Sequence, residues 1–211
     1  MLVQGQTVVA LTKARLTGTQ NALQLWLGEF GVSEVMPRYS AMAKSGFMYT
    51  ARGALQTLSV AGTAMTGLVI WNSSSSSGIN GVDLHLLKVS GNVAVTSASL
   101  TGIALARGIA QSTAPTSTTA ASSYGNNYFG GAAGAGIAYT IATVATAPVA
   151  MFDVMHNTAA IATTGEDIGF DMDFEGSVVV PPGGIITFVA LGAASAASAV
   201  NLGMIWAELP V

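Results

Sequence analysis

Charge is what this sequence has least of. Asp, Glu, Lys and Arg make up 8% of 211 residues, where an ordinary soluble domain carries about 25%. A surface so poor in charge does little to keep copies apart. A free monomer is therefore expected to be sticky, and a subunit packed against its own copies is not penalised. Cysteine is absent, which excludes disulfide staples and thiolate metal sites. The glycines at 130, 131, 134 and 136 (GGAAGAG) come without the lysine of a phosphate cradle and read as a small-residue loop suited to close packing. No Gly-x-Ser-x-Gly elbow is present, and His85 and His156 are the only histidines, so no nucleophilic triad is legible. No basic run interleaved with aromatics marks a nucleic-acid surface. The expectation is a chain that is not an enzyme, with no cofactor, no metal and no nucleic-acid partner.

Hydrophobic residues are plentiful at 51%, and two uncharged stretches, Gly108–Phe152 and Gly176–Ala207, are longer than the roughly 20 residues that span a bilayer. Both are interrupted by Gly, Ser, Thr, Asn and Pro, including Pro181-Pro182. They read as buried strands and neutral loops, with no membrane partner expected. Met1–Ala10 lacks the basic and long apolar regions of a signal peptide.

The few charges are unevenly placed. Residues 1–52 hold Lys13, Arg15, Arg38, Lys44 and Arg52 against Glu29 and Glu34, whereas residues 153–211 hold seven acids and no Lys or Arg. A basic front and an acidic back suggest an arm that docks on an acidic surface, its own or a neighbour's. Residues 1–45 are expected to form that N-terminal arm, with Asn21–Gly31 as a short helix or extended piece. Arg38, Tyr39, Lys44 and Arg52 are its candidate interface residues.

Residues 46–211 read as strands and turns. Phe47–Leu58, Thr66–Asn72, Val82–Val89, Leu100–Ala110, Ile137–Ala145, Ile185–Leu191 and Leu202–Leu209 carry strand character. Gly53 is a candidate bulge. Gly91-Asn92 is a turn signal that makes Val93–Ala98 a hairpin partner of Val82–Val89. Residues 111–136 read as a long Ser/Thr/Ala/Gly/Asn loop, functional or interfacial. Met151–Met155 is too short to assign. Pro181-Pro182-Gly183 is a rigid turn. Trp71 and Trp206 are expected in the core, and Asn72 is placed to cap a strand end. Eight to ten short strands without βα alternation predict an all-β fold, a jelly-roll-like antiparallel sandwich.

The sharpest pattern is IGFDMDFE. Ile168, Phe170, Met172 and Phe174 alternate with Gly169, Asp171, Asp173 and Glu175, as in a strand with one buried and one wet face. Asp171, Asp173 and Glu175 form either an interface for the basic arm or a cation face, because clustered hard oxygens suit Ca²⁺. The bland reading, a solvated strand face, outweighs a metal site. A two-carboxylate glycosidase needs acids on opposite sides of a cleft, and these lie on one face of one strand. His85 beside Asp83 and His156 before Asn157 read as structural or loop histidines. Tyr124, Tyr128 and Phe129 could stack on sugar rings, although interface packing is the simpler use.

Several short motifs occur in a suggestive order. They are Gly28-Glu29, Pro37-Arg38-Tyr39, Gly46-Phe47-Met48-Tyr49, Ile70-Trp71-Asn72 before a serine run, Phe174-Glu175-Gly176, Pro181-Pro182-Gly183 and a closing Trp-x-Glu-x-Pro at Trp206, Glu208 and Pro210. In this order, across nearly the whole chain, the sequence resembles small virion structural proteins of tailed bacteriophages. The resemblance implies a place in the virion as a capsid decoration or cement protein, and it supplies no catalytic residues. The expected partners are further copies of the chain, as a trimer about a threefold axis, and a major capsid protein beneath them on the capsid exterior. The alternative is a tail-fibre tip or glycan-binding module, a role that jelly rolls also serve.

Overall fold

The computed structural model describes residues 25–27, 33–35, 38–74, 81–95, 102–108, 114–121, 123–127, 131–156, 167–192 and 198–210. Near the front, β1 (Leu25–Leu27) and β2 (Ser33–Val35) form an antiparallel pair, and α1 (Arg38–Lys44) follows. Then come β3 (Met48–Arg52), β4 (Gln56–Thr57), β5 (Ala64–Asn72), β6 (Val82–Val95) and β7 (Gly102–Gly108). Next are β8 (Thr116–Ala120), β9 (Ser123–Asn126), β10 (Gly136–Thr143), β11 (Val149–His156), β12 (Asp167–Val180), β13 (Ile185–Ala190) and β14 (Ser198–Pro210).

The strands form two antiparallel sheets. The first runs β11-β7-β13-β5-β10-β8, and the second runs β12-β6-β14-β3-β9 with β4 also pairing β14. Eight of them, β3, β5, β6, β7, β11, β12, β13 and β14, give two four-stranded sheets ordered β11-β7-β13-β5 and β12-β6-β14-β3. Chain and spatial order together make this the two-Greek-key connectivity of a jelly roll. Apart from the short β4, the remaining strands of the sandwich, β8, β9 and β10, belong to one excursion between β7 and β11. It widens both sheets on the same side, β10 and β8 beyond β5 and β9 beyond β3.

The period-two alternation of the strands sets the core. Along β14, Val200, Leu202, Met204 and Trp206 point between the sheets, opposite Leu68, Ile70, Ile186 and Phe188 of the first sheet. Trp206 is 1% exposed and stacks on Tyr49, ring centroids 5.9 Å apart. Truncating a buried Trp of this kind costs about 3–5 kcal/mol. A second cluster, Met65, Val69, Ala104, Ala106, Ala142, Val144, Ile185 and Val189, is also buried. All of these residues belong to the first sheet or follow it directly, and they alternate with its core residues, so they lie on its far face. A smaller cluster sits on the far face of the second sheet. There a register slip at Leu87 lets Leu87, Met48 and Ala207 receive Met42 and Ala43 of α1. The helix, on the arm side of the boundary expected at residue 45, is thus packed on the sandwich.

The structure corrects two readings of the sequence. No turn forms at Gly91-Asn92: β6 runs unbroken through both residues and pairs with β12 and β14 along this length. The glycine is needed for space, because a methyl group there would overlap the Phe170 ring and come within 3.0 Å of Leu202. Residues 111–136 are not one long loop, since β8 and β9 lie within them. Threonine and serine are ambiguous between loop and strand until a neighbouring edge pairs with them. Gly53 opens the step between β3 and β4, where the four residue steps from Arg52 to Gln56 face three from Gly203 to Val200, the extra residue a bulge supplies, and a Cβ there would sit 3.2 Å from the Gly67 carbonyl oxygen. The Pro181-Pro182-Gly183 turn forms as expected, with Gly183 at φ +76° and the Gly184 N–H donating to the Pro181 carbonyl at 2.9 Å.

Replacing Gly91 with Ala is expected to lower stability by about 1–3 kcal/mol through overpacking, read as a lower urea midpoint with an unchanged slope. In a double-mutant cycle with Phe170→Ala the two losses should fall short of adding. Full additivity would show that the ring does not set the glycine.

Candidate functional site

The acidic strand lies where its alternation predicts. Phe170, Met172 and Phe174 pack against the core, while Asp171, Asp173 and Glu175 are exposed on the outer side of β12. The side chain of Ile168 lies outside the described residues. Lys88 of neighbouring β6 reaches Asp171 at 2.7 Å and Asp173 at 3.9 Å. The hydrogen bond to Asp171 raises the Lys88 ammonium above its usual pKa, with the charges of Asp171 and Asp173 adding to it. Both carboxylates are more than half exposed, so this pairing is weak and screened by salt. Among the described residues no three His, Asp or Glu side chains converge as a metal site would require, and no helix is long and apolar enough to cross a membrane.

The basic candidates are spread out. Tyr39 and Lys44 are exposed on α1, and the side chain of Arg38 lies outside the described residues. Arg52 stands on the outer face of β3 and donates through Nε to the Asn201 Oδ1 at 3.0 Å. Arg52 and Asp171 share one cross-strand row, through Gly203 and Ser90. Three strand spacings separate them, roughly 14 Å, so the two do not meet within a copy. Between them the outer face of the second sheet forms an open trough of about 760 Å³, lined among others by Thr50, Arg52, Ser90, Asn92, Asn201 and Gly203. Its floor is low because Gly203 and Ser90 are small. Of the aromatic candidates, Tyr128 and Phe129 and the Tyr124 side chain lie outside the described residues. His85 is half-buried on β6 and His156 is exposed at the end of β11.

Two buried polar groups were not legible as sites. Glu208 is 6% exposed. Its Oε2 accepts from the Ala135 N–H at 2.8 Å, and its Oε1 accepts from the Gly136 N–H at 2.8 Å and from Trp206 Nε1 at 3.1 Å. The closing Trp-x-Glu motif thus grips the GGAAGAG segment. Glycine is required there: a Cβ on Gly134 would run into the Glu208 carboxylate and the Tyr49 ring, and one on Gly136 would lie 2.7 Å from the Trp206 indole nitrogen. Burial, and then the Glu208 charge, raise the Tyr49 phenol above its ordinary pKa, with the hydrogen bond to Asn126 opposing them. Asn72, fully buried, donates to the carbonyls of Val82 and Val180 at 2.7 and 3.0 Å and accepts from the Ser74 hydroxyl at 2.7 Å. It caps more than its own strand, tying the end of β5 to the start of β6 and the end of β12. Among the described residues nothing convergent, nucleophilic or metal-binding surrounds either group; both are fastenings. Comparison with protein-family models, curated proteins and solved structures returned no match.

Glu208→Ala orphans three buried donors at about 1–3 kcal/mol each, so a stability loss of at least about 3 kcal/mol in urea unfolding is expected, with a smaller loss for Glu208→Gln. Equal losses for the two would mean that the carboxylate's hydrogen bonds are not what holds the segment. The raised Tyr49 pKa gives a second outcome. Its contribution to stability is present below the ordinary tyrosine pKa of 10.0 and is lost as pH rises through the higher folded-state value. Alkaline titration of the wild type should therefore show a stability loss above pH 10 that Tyr49→Phe reduces.

Proposed function

We propose that this chain is a structural, non-enzymatic subunit of a tailed-bacteriophage virion, a decoration or cement protein that self-associates and sits on the capsid exterior against the major capsid protein. The observation that carries the reading is the placing of charge on the sandwich. The excursion that widens both sheets on one side falls within residues 108–152, which contain no charged residue. Strands β8, β9 and β10 are therefore uncharged and rich in Thr, Ser, Ala and Gly, with Arg52 the exposed charge beside β9 on β3. Such a flank is poor at preventing association and well suited to close contact with a neighbour. The jelly roll suits the role without requiring it, because one fold hosts many functions. The motif order from Gly28-Glu29 to Pro210 adds the virion to the reading, by resemblance alone.

A second reading is a glycan-binding module at a tail-fibre tip. The trough on the second sheet favours it, since Arg52, Asn92, Asn201, Ser90 and Thr50 line it and amides, hydroxyls and a guanidinium are the groups that hydrogen-bond sugar hydroxyls. No aromatic platform stands among its described lining residues, which ranks this reading second.

The purified chain is expected to elute as an oligomer in size-exclusion chromatography with light scattering, a trimer being the expected state. Monomeric behaviour at every concentration would count decisively against the assembly reading. Binding on a glycan array that is lost in Arg52→Ala would promote the second.

A further inference from the structure

On the side where the sheets end in β11 and β12, the seam between them opens into a cleft. Both strands are irregular there. The ladder of β11 with β7 slips between Ala150 and Phe152, which makes Met151 an extra residue. The ladder of β12 with β6 slips between Asp173 and Val178, around Glu175 at φ +50° and Gly176 at φ +85°. The Phe152 and Phe174 rings, 5.8 Å apart, bridge the seam. Phe152, nearly half exposed, also walls the cleft, which measures about 320 Å³ and is lined further by Met151, Val178, Val180 and Ile186.

Arg107, near the end of β7, is the one charge among the described lining residues. Ile103 and Leu105 belong to the core, and Ala104 and Ala106 to the far face. The alternation of β7 therefore turns Arg107 toward the second sheet. Inward charges serve as guards on edge strands, but β7 runs between β11 and β13 inside its sheet, so that use does not apply. The acids of this side stand on other faces. Asp153 lies opposite Ala104 and shares its far face, and Asp171 and Asp173 are on the outer side of β12, where they meet Lys88. Arg107 is exposed at the mouth of an apolar cleft.

We infer that this cleft binds an amphipathic monocarboxylate, a single acyl chain lying against Met151, Phe152, Val178 and Ile186 with its carboxylate paired to Arg107. Small-molecule sites are mostly apolar clefts of about 300–1,000 Å³ with a few placed polar groups, and this one has that form. The guanidinium fork matches a carboxylate in a bidentate pair. An exposed ion pair alone is weak, so the apolar walls must supply part of the affinity and the ligand needs a tail. The inference goes beyond the assembly reading and does not rest on it, because the cleft lies on the side of the sandwich away from β8 and β9.

The test is calorimetric titration of the full chain with decanoate below its micellar concentration. Saturable binding is expected. Decyltrimethylammonium, with the same tail and the opposite charge, should bind about tenfold more weakly or less. Arg107→Gln should weaken decanoate by about tenfold or more, and Arg107→Lys should recover part of that loss. The urea midpoint of Arg107→Gln should match the wild type, because the side chain is exposed. Amide shifts on binding should map to residues 149–152 and 177–181. Absence of saturable binding, equal binding of the cationic chain, or a decanoate affinity untouched by Arg107→Gln each overturns the inference and leaves the assembly reading standing.

Discussion

A carboxylate buried beside an indole ring ties this sandwich to the excursion that widens it. Glu208 accepts two backbone N–H groups from the excursion and the indole N–H of Trp206 from its own strand. Burying a carboxylate is costly unless its lone pairs are engaged, and here three donors engage them. The same arrangement dictates what stands opposite. Gly134 and Gly136 have no room for a side chain, and Tyr49 must lie flat on Trp206. The excursion is therefore not an appendage. Its return strand β10 is fixed by pairing with β5 and by this carboxylate, and β8 and β9 are carried into place with it.

Asn72 does for the first sheet what Glu208 does for the excursion. One fully buried amide satisfies carbonyls at the start of β6 and the end of β12 while its own backbone bonds Gly183 and Gly184 of the proline turn. The end of β5, the start of β6 ten residues on and the end of β12 at Val180 meet at one side chain. In a fold of almost entirely non-local pairs, such polar anchors fix register where apolar packing alone would tolerate slippage. The core supplies the bulk of the stability, and these two groups make its arrangement specific.

Much of the fold was readable because strands with one wet face declare themselves. The run from Phe170 to Glu175 alternates cleanly, and the structure places its apolar residues inward and its acids outward. Gly91-Asn92 misled because glycine has two uses with the same signature. A turn needs its backbone freedom, and close ring packing needs its missing Cβ; only the distant Phe170 decides between them. The strands within residues 111–136 were hidden for a related reason. Their residues are small and polar, and what makes them strands is pairing with β10 and β3, which no local pattern records. Glu208 was visible as part of a closing motif and Gly134 and Gly136 as a glycine loop, but nothing in either segment says that they touch.

The scarcity of charge becomes a statement about geometry once the chain is folded. Scattered evenly, a few charged residues would leave every surface equally sticky. Instead the outer face and edge around β11 and β12 collect Asp153, Asp171, Asp173, Glu175 and Lys88, while β8 and β9 themselves carry none and Arg52 stands beside β9 on β3. Lys88 already lies against Asp171 and Asp173 within the copy, so part of the field that would draw in a basic arm is spent internally. Exposed carboxylates on an irregular edge strand then repel a like edge more readily than they recruit a cationic one. Under the proposed assembly, these acids would mark where copies do not meet.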